Sequence, residues 1–338
     1  MSEALRSSLV NSCWDEEYAW LCKQRRHYPP NADIWHLRFN WPMEQQRLSQ
    51  LLLSQEFCFE PLQRIEKADG QVIHLWSARD ALVLKRLANI LPGTLGLFPR
   101  CTHVKNHGGL KATVANVQRH LGHYQHVIRT DILGYYEHID QSVLLGQLDK
   151  VIKDRFVLNL LGQVVRRTVH YGGCYRDIRK GVSRGCPLSP ILGAFYLKSV
   201  DEYFSQKDLH YVRYMDDILI LTKTGWQLRR AIRTLYKLLE PVKLKLHPRK
   251  TYIGQIKRGF DFLGYRFSHR PLRLAAVTDE RFKARYHRLY EQQKTAPDKG
   301  TDILRDYVTR WRRWAVAGLD ELQTSLYPLC ATAKPESS

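Results

Sequence analysis

Apolar positions near the start of the chain recur at helical spacing around Trp14, Tyr18 and Leu21, and the pattern breaks at Pro29-Pro30. From Phe57 to Trp76 it alternates instead, in FCFEPLQRI and QVIHLW, with Asp69-Gly70 between the runs. That arrangement predicts a β-hairpin. Helical spacing returns from Ala78 to Leu91 and is expected to stop before Pro92.

Further on, HVIRTDILGYYEHI opens as a β-branched strand that ends at Asp131. A helix-like stretch covers 142–168, and the Gly- and Pro-rich GVSRGCPLSP leads into a helix at about Ser189. The Ser189 hydroxyl and Pro190 both suit a helix start. YVRYMDDILILT then gives two apolar runs flanking Asp216-Asp217. A helix over Leu228 to Leu239 and short strand-like pieces (KLKLH, TYIG, FDFLGYRF) follow. Strand–helix–strand–strand–helix–strand is the split βαβ order, which predicts an α+β fold with an antiparallel sheet backed by helices. After about Pro271 two or three helices are expected, with Arg281, Lys283, Arg285, Arg288, Arg305, Arg310, Arg312 and Arg313 among tyrosines and tryptophans. Trp311 and Trp314, three apart, read as core.

Composition narrows the class of partner. The chain has 338 residues, 44% of them apolar, and 53 Lys+Arg against 33 Asp+Glu leave a net charge of +20. A surplus of that size favours nucleic acid, with an anionic membrane surface or a basic structural chain as alternatives. No apolar run approaches the ~20 residues that span a bilayer, and the acidic, aromatic N-terminus is not signal-like. Seven cysteines without a CxxC pair read as reduced thiols of a cytoplasmic protein, and no structural zinc site is expected.

The chemistry gathers at Tyr214-Met215-Asp216-Asp217. The bare Asp pair could be an ordinary β-turn. Two adjacent carboxylates between apolar strands nevertheless need a cation, and a divalent ion shared with substrate phosphates is the natural one. Two-metal phosphoryl transfer needs a further carboxylate from a neighbouring strand end, which Asp131 provides.

These residues carry a resemblance. Tyr214-Met215-Asp216-Asp217 resembles the YxDD box of reverse transcriptases, and Asp131 to Tyr136 resembles their first aspartate motif. GVSRGCPLSP resembles the template and nucleotide loop, LHPRKTYIG the lysine motif, and FDFLGYRF the primer grip. The likeness is greatest to bacterial enzymes of the retron and group II intron type. HVKNHGGLKA, RGCPLSPILGAF and GFDFLGYRFS look most like the small stand-alone enzymes, defence-associated type 2 among them. The resemblance implies a right-hand polymerase. Its parts would be an N-terminal helical extension over 1–56, fingers over 57–125, a palm over 126–270 with a finger insertion at about 142–185, and a helical thumb over 271–330. A disordered tail over 331–338 would follow.

The resemblance further implies RNA-templated DNA synthesis from dNTPs with two Mg²⁺ or Mn²⁺ ions, on a structured non-coding RNA template that yields cDNA, with antiphage defence as the biological role. Asp131, Asp216 and Asp217, with the Ile132 carbonyl, would hold the ions. Lys250 would protonate pyrophosphate, or else be a solvated charge. Tyr136 would be the steric gate against a 2′-hydroxyl, or else a core aromatic. Arg184, Gly185 and Lys111 would meet the nucleotide, with Lys105 and Gly108-Gly109 beside Lys111 as a phosphate cradle; Lys67, at the hairpin tip, would touch the triphosphate or else face water. Tyr214, Met215, Phe262, Leu263, Gly264, Tyr265, Arg310, Arg312 and Arg313 would meet template and primer. Departures exist: Arg184 stands where many relatives carry Gln, and the fingers arginine has no match beyond His74 or Arg79 as substitutes. No ribonuclease H or HNH pattern follows, so a self-sufficient mobile intron protein is not expected. An RNA-dependent RNA polymerase and a non-catalytic RNA-binding or splicing cofactor are the rival readings.

Overall fold

The computed structural model describes residues 2–316 apart from Ser12, 67–69, Gln71 and Ala296. In chain order, helices α1 (Ser2–Val10), α2 (Asp15–Gln24), α3 (Asp33–Phe39) and α4 (Trp41–Leu53) precede strands β1 (Leu62–Glu66) and β2 (Val72–Leu75). Then come α5 (Ala78–Leu95), α6 (Gly109–His120), β3 (His126–Thr130), α7 (Tyr135–His138), α8 (Gln141–Val151) and α9 (Arg155–Val165). Strands β4 (Thr168–Tyr171) and β5 (Cys174–Asp177) lead to α10 (Ser189–Tyr196) and α11 (Lys198–Ser205). Next are β6 (His210–Tyr214), β7 (Asp217–Thr222), α12 (Gly225–Leu239), β8 (Tyr252–Gln255), β9 (Phe260–Phe262), β10 (Tyr265–Phe267) and β11 (Arg273–Leu274). Helices α13 (Ala276–Thr295) and α14 (Pro297–Val316) close the described chain.

Two units result. The first comprises Met1–Val104, Ile132–Tyr203 and Leu235–Leu246; the second comprises Lys105–Asp131, Phe204–Thr234 and the described residues from His247 on.

The first unit is built around α5. Ser77 caps it by accepting from the Asp80 amide at 3.1 Å, and Gly96 ends it in the left-handed region. Contrary to the sequence reading, α5 does not stop before Pro92 but carries it inside. Proline removes one helical hydrogen bond, yet Leu84, Leu87, Leu91 and Leu95 are all fully buried along one stripe. Keeping Leu95 in the core outweighs the lost bond. The guanidinium of Arg86 lies 3.5 Å over the Trp14 ring and pairs with Glu17 at 3.2 Å, fixing the opening helices to α5. The stretch expected as one helix over 142–168 is two, because Asp140 and Asp154 each cap a new start through the amides of Val143 and Val157. The sheet order is β2-β1-β4-β5, with β4 parallel to β1, so strands from 168–177 join the 57–76 hairpin.

The second unit holds a four-stranded antiparallel sheet in the order β6-β7-β3-β8, with α12 between β7 and β8, as the split βαβ reading predicts. KLKLH is no strand; it contributes an isolated bridge from Leu246 to Ile132 within the first unit. A second sheet, β11-β10-β9, shares a core with the first sheet through Val127, Leu219, Leu221, Phe260, Phe262, Tyr265 and Phe267. FDFLGYRF is thus a hairpin, turning through Leu263 (φ 48) and Gly264 (φ 88). A Cβ on Gly264 would stand 2.6 Å from the Trp314 ring, so only glycine fits there.

Candidate active site

The site grows from two strand ends of the second unit. Asp131 follows β3 directly, and the antiparallel register Thr130↔Ile218 sets it opposite Asp217. Between β6 and β7 only Met215 and Asp216 make the turn, closed by the pair Tyr214↔Asp217. Met215 is left-handed (φ 56), a strain on the order of 1 kcal/mol or more that needs external support. Arg213 gives it: fully buried, it donates to the Met215 carbonyl at 2.9 Å.

Charge is crowded at this corner. Burial pushes the Asp216 carboxyl up to about 7, and a hydrogen bond with Asp131 and the charges of Asp131 and Asp217 push the same way. Burial also raises Asp217; Arg129 and Lys250 counter it, and Asp131 adds to the rise. Lys250, in a short 3₁₀ turn over Pro248–Lys250, forms an ion pair with Asp131 Oδ2. Its backbone carbonyl accepts from Arg129 at 3.0 Å, and the Asp131 carbonyl accepts from the His247 amide at 2.7 Å. Asp131 Oδ1 is buried with no hydrogen-bond partner.

That orphaned oxygen and the hard oxygen donors fit Mg²⁺ or Mn²⁺. Among the described residues no group of three or more His, Cys, Asp or Glu side chains is disposed to hold an ion. Ile132, next in the chain, lies in the first unit.

The other sequence candidates separate by unit. In the first, Tyr136 is half-buried, with its ring 5.3 Å from that of Tyr135, whose hydroxyl donates to the Gly193 carbonyl at 2.5 Å. The motif loop is stitched to the same backbone: the Val182 amide donates to the Tyr136 carbonyl at 2.8 Å. A Cβ on Gly181 (φ +72) would meet that carbonyl at 2.6 Å, so the glycine is a close-packing requirement. Gly185 (φ +81) has open space, and the exposed Arg184 pairs with Glu137 at 3.1 Å. Ser189 does not cap α10, since Leu188 holds the cap position; its hydroxyl donates to the Ser183 carbonyl at 2.6 Å and closes the loop. Arg79 is paired with Glu60 at 2.8 Å. Lys67 lies outside the described residues, as does the 331–338 tail.

In the second unit Lys105 and Lys111 are exposed at the start of α6, where Gly108 and Gly109 both have positive φ. Tyr214 and Met215 are half-buried. Phe262 and Tyr265 are fully buried, and the Tyr265 hydroxyl donates to the Trp314 carbonyl at 2.9 Å. Direct primer contact by those two side chains is therefore corrected: they are core, and the hairpin tip is Leu263-Gly264. Arg310, Arg312 and Arg313 are exposed on α14, while Trp311 and Trp314 are half-buried against the core.

A protein-family model described as reverse transcriptase (RNA-dependent DNA polymerase) matches residues 78–267, more than half of the chain. The chain is a member of the reverse transcriptase family. This reverse transcriptase is accordingly an RNA-directed DNA polymerase, an enzyme class that takes RNA template, DNA and dNTPs and generally uses Mg²⁺ or Mn²⁺. No curated protein matches it. Among the described residues of the reverse transcriptase no helix is long and apolar enough to cross a membrane.

Sequence reasoning missed Arg129, Arg213 and Gly193. Arg129 could have been found, since strand alternation puts it on the same face as Asp131. Arg213 was hidden, because a buried arginine in an apolar strand carries no signal of its own target. Gly193 is visible only once Tyr135 and Tyr136 are seen to pack against α10 at 3.2 Å from where its Cβ would be.

Proposed function

We propose that this reverse transcriptase copies a dedicated, structured non-coding RNA into cDNA, in the manner of the small stand-alone bacterial enzymes, and that it serves antiphage defence. The observation that supports chemistry at this corner is Asp131 facing the Asp216-Asp217 turn with one buried oxygen unsatisfied. Asp131, Asp216 and Asp217, with the Ile132 carbonyl, would hold two Mg²⁺ or Mn²⁺ ions. Such ions, when bound, activate a primer 3′-hydroxyl and neutralise a departing pyrophosphate. Lys250 Nζ holds the proton that pyrophosphate needs as it leaves. Tyr136 presents its ring to the sugar and disfavours a 2′-hydroxyl, which argues for dNTPs over ribonucleotides.

A dedicated RNA is favoured by the net charge of +20 and by the exposed arginines of α14. The defence role rests on the likeness of HVKNHGGLKA, RGCPLSPILGAF and GFDFLGYRFS to the stand-alone enzymes. Sequencing the RNA that copurifies with the protein, together with phage plating, tests both. One strongly enriched structured RNA, and protection lost in Asp216→Ala/Asp217→Ala, are expected. A sample of cellular RNA without enrichment, or protection that survives in the double variant, contradicts the reading.

A further inference from the structure

Helix α12 carries a solvent face that the carboxylate corner does not use. β7 runs from Asp217 to Thr222, and α12 starts just beyond it, so Trp226 and the Asp216-Asp217 turn lie at opposite ends of that strand. Along the strand they are separated by roughly 17 Å at ~3.3 Å per residue.

Leu228, Ala231, Leu235 and Leu239 are buried and define the inward stripe of the helix. On the outer side Trp226, Arg229, Arg230 and Arg233 are all exposed. Arg229 and Arg230 follow Trp226 by three and four residues, and Arg233 follows them by four and three, so the four form one contiguous patch. The indole is 62% exposed, which is unusual for the largest apolar side chain, and the Arg230 guanidinium sits 5.5 Å from its ring centroid. Gly225–Leu239 contains no acidic residue, and among the described residues none of the three arginines forms an ion pair. Arg229 and Arg233 are i and i+4, a like-charge pair that costs helix stability when no anion is bound.

We propose that this face of α12 is a second RNA-docking surface, which takes an unpaired segment of a structured RNA by stacking a base on Trp226 and binding its phosphates through Arg229, Arg230 and Arg233. The inference rests on RNA being the partner proposed above, and its test reads binding instead of synthesis. An exposed indole edged by arginines matches the way single strands are held, a π-face for a base and cations along the backbone. Paired bases stay in their stack and leave the ring nothing to accept, so the unpaired segment is the one that fits. A membrane surface is disfavoured by the same geometry. An interfacial helix needs its apolar face free, and the apolar face of α12 is inside the protein.

The test is fluorescence anisotropy of the full chain with a labelled RNA hairpin carrying an unpaired flank, titrated at several salt concentrations. A blunt hairpin of the same stem is the control. Arg229→Gln/Arg230→Gln/Arg233→Gln is expected to lower the log–log salt slope by about two, the share of three single-strand phosphate contacts. Trp226→Ala should weaken binding of the flanked hairpin by about tenfold and leave the blunt hairpin unchanged, with Trp226→Phe restoring most of the loss. The triple variant should melt no lower than wild type, since it removes a repulsion. Unchanged affinity and slope in a triple variant that melts normally would overturn the proposal. So would equal losses for blunt and flanked hairpins, or binding to phosphatidylglycerol vesicles that depends on these residues when RNA binding does not. Absence of cDNA synthesis by wild type would count against the catalytic reading alone, because the binding comparison does not use it.

Discussion

Burial raises the proton affinity of Asp216 and Asp217, the neighbouring Asp131 charge adds to both, and Arg129 and Lys250 counter the rise at Asp217. Lys250 is also mostly exposed, so removing it should not unfold the protein. Lys250→Ala is expected to lower the single-turnover extension rate about 10²-fold, the usual share of a general acid, with primer–template affinity little changed. Equal rates in a rapid-quench comparison would return Lys250 to a solvated charge. For sugar choice, Tyr136→Ala should let ribonucleotides into the product. Unaltered dNTP-to-NTP discrimination would make Tyr136 a core aromatic only. A different carboxylate supplies a pH signature. Burial pushes Asp80, at the start of α5, up to about 7. Its ordinary value is about 4, so the folded protein binds the proton more tightly than the unfolded chain. Stability from this group is therefore full below about pH 4 and erodes as pH rises to about 7, at up to roughly 1.4 kcal/mol per unit. Chemical denaturation across that window should show a shallower fall for Asp80→Asn than for wild type; parallel curves would mean that Asp80 is charged in the fold.

At the scale of elements, packing decides what local pattern leaves open. Gly264→Ala puts a methyl 2.6 Å from the Trp314 ring at a positive φ, so a loss of about 1–3 kcal/mol in stability is expected by denaturant titration. A loss below a few tenths would show that the hairpin and α14 are not pressed together. The strands that carry Asp131 and the Asp pair were legible because β3 is a β-branched run that stops at Asp131 and the pair sits between two apolar runs. The same is true of the split βαβ order and the hairpin around Asp69-Gly70. Pro92 was misread as a stop because local chemistry cannot weigh one lost hydrogen bond against a leucine stripe that continues to Leu95. The break between α8 and α9 was overlooked although Asp154 is an ordinary helix cap. Phe262 and Tyr265 show the limit of motif reasoning: the string is right for the hairpin, but alternation in β9 and β10 turns those two rings inward.

Over the whole molecule, charge and catalysis are separable. The net charge of +20 makes RNA affinity steeply salt-dependent whatever the sequence bound. On the proposed reading the carboxylate corner, in contrast, decides only whether bound primer is extended. The measurement that tests the account most directly is primer extension by the purified chain on an RNA template with an annealed DNA primer. Wild type would be compared with Asp216→Ala/Asp217→Ala, and dNTPs with NTPs. The account expects extension with dNTPs and Mg²⁺ or Mn²⁺ that vanishes in the double variant while RNA binding persists. Extension that survives loss of both carboxylates, or that uses NTPs in place of dNTPs, would contradict it.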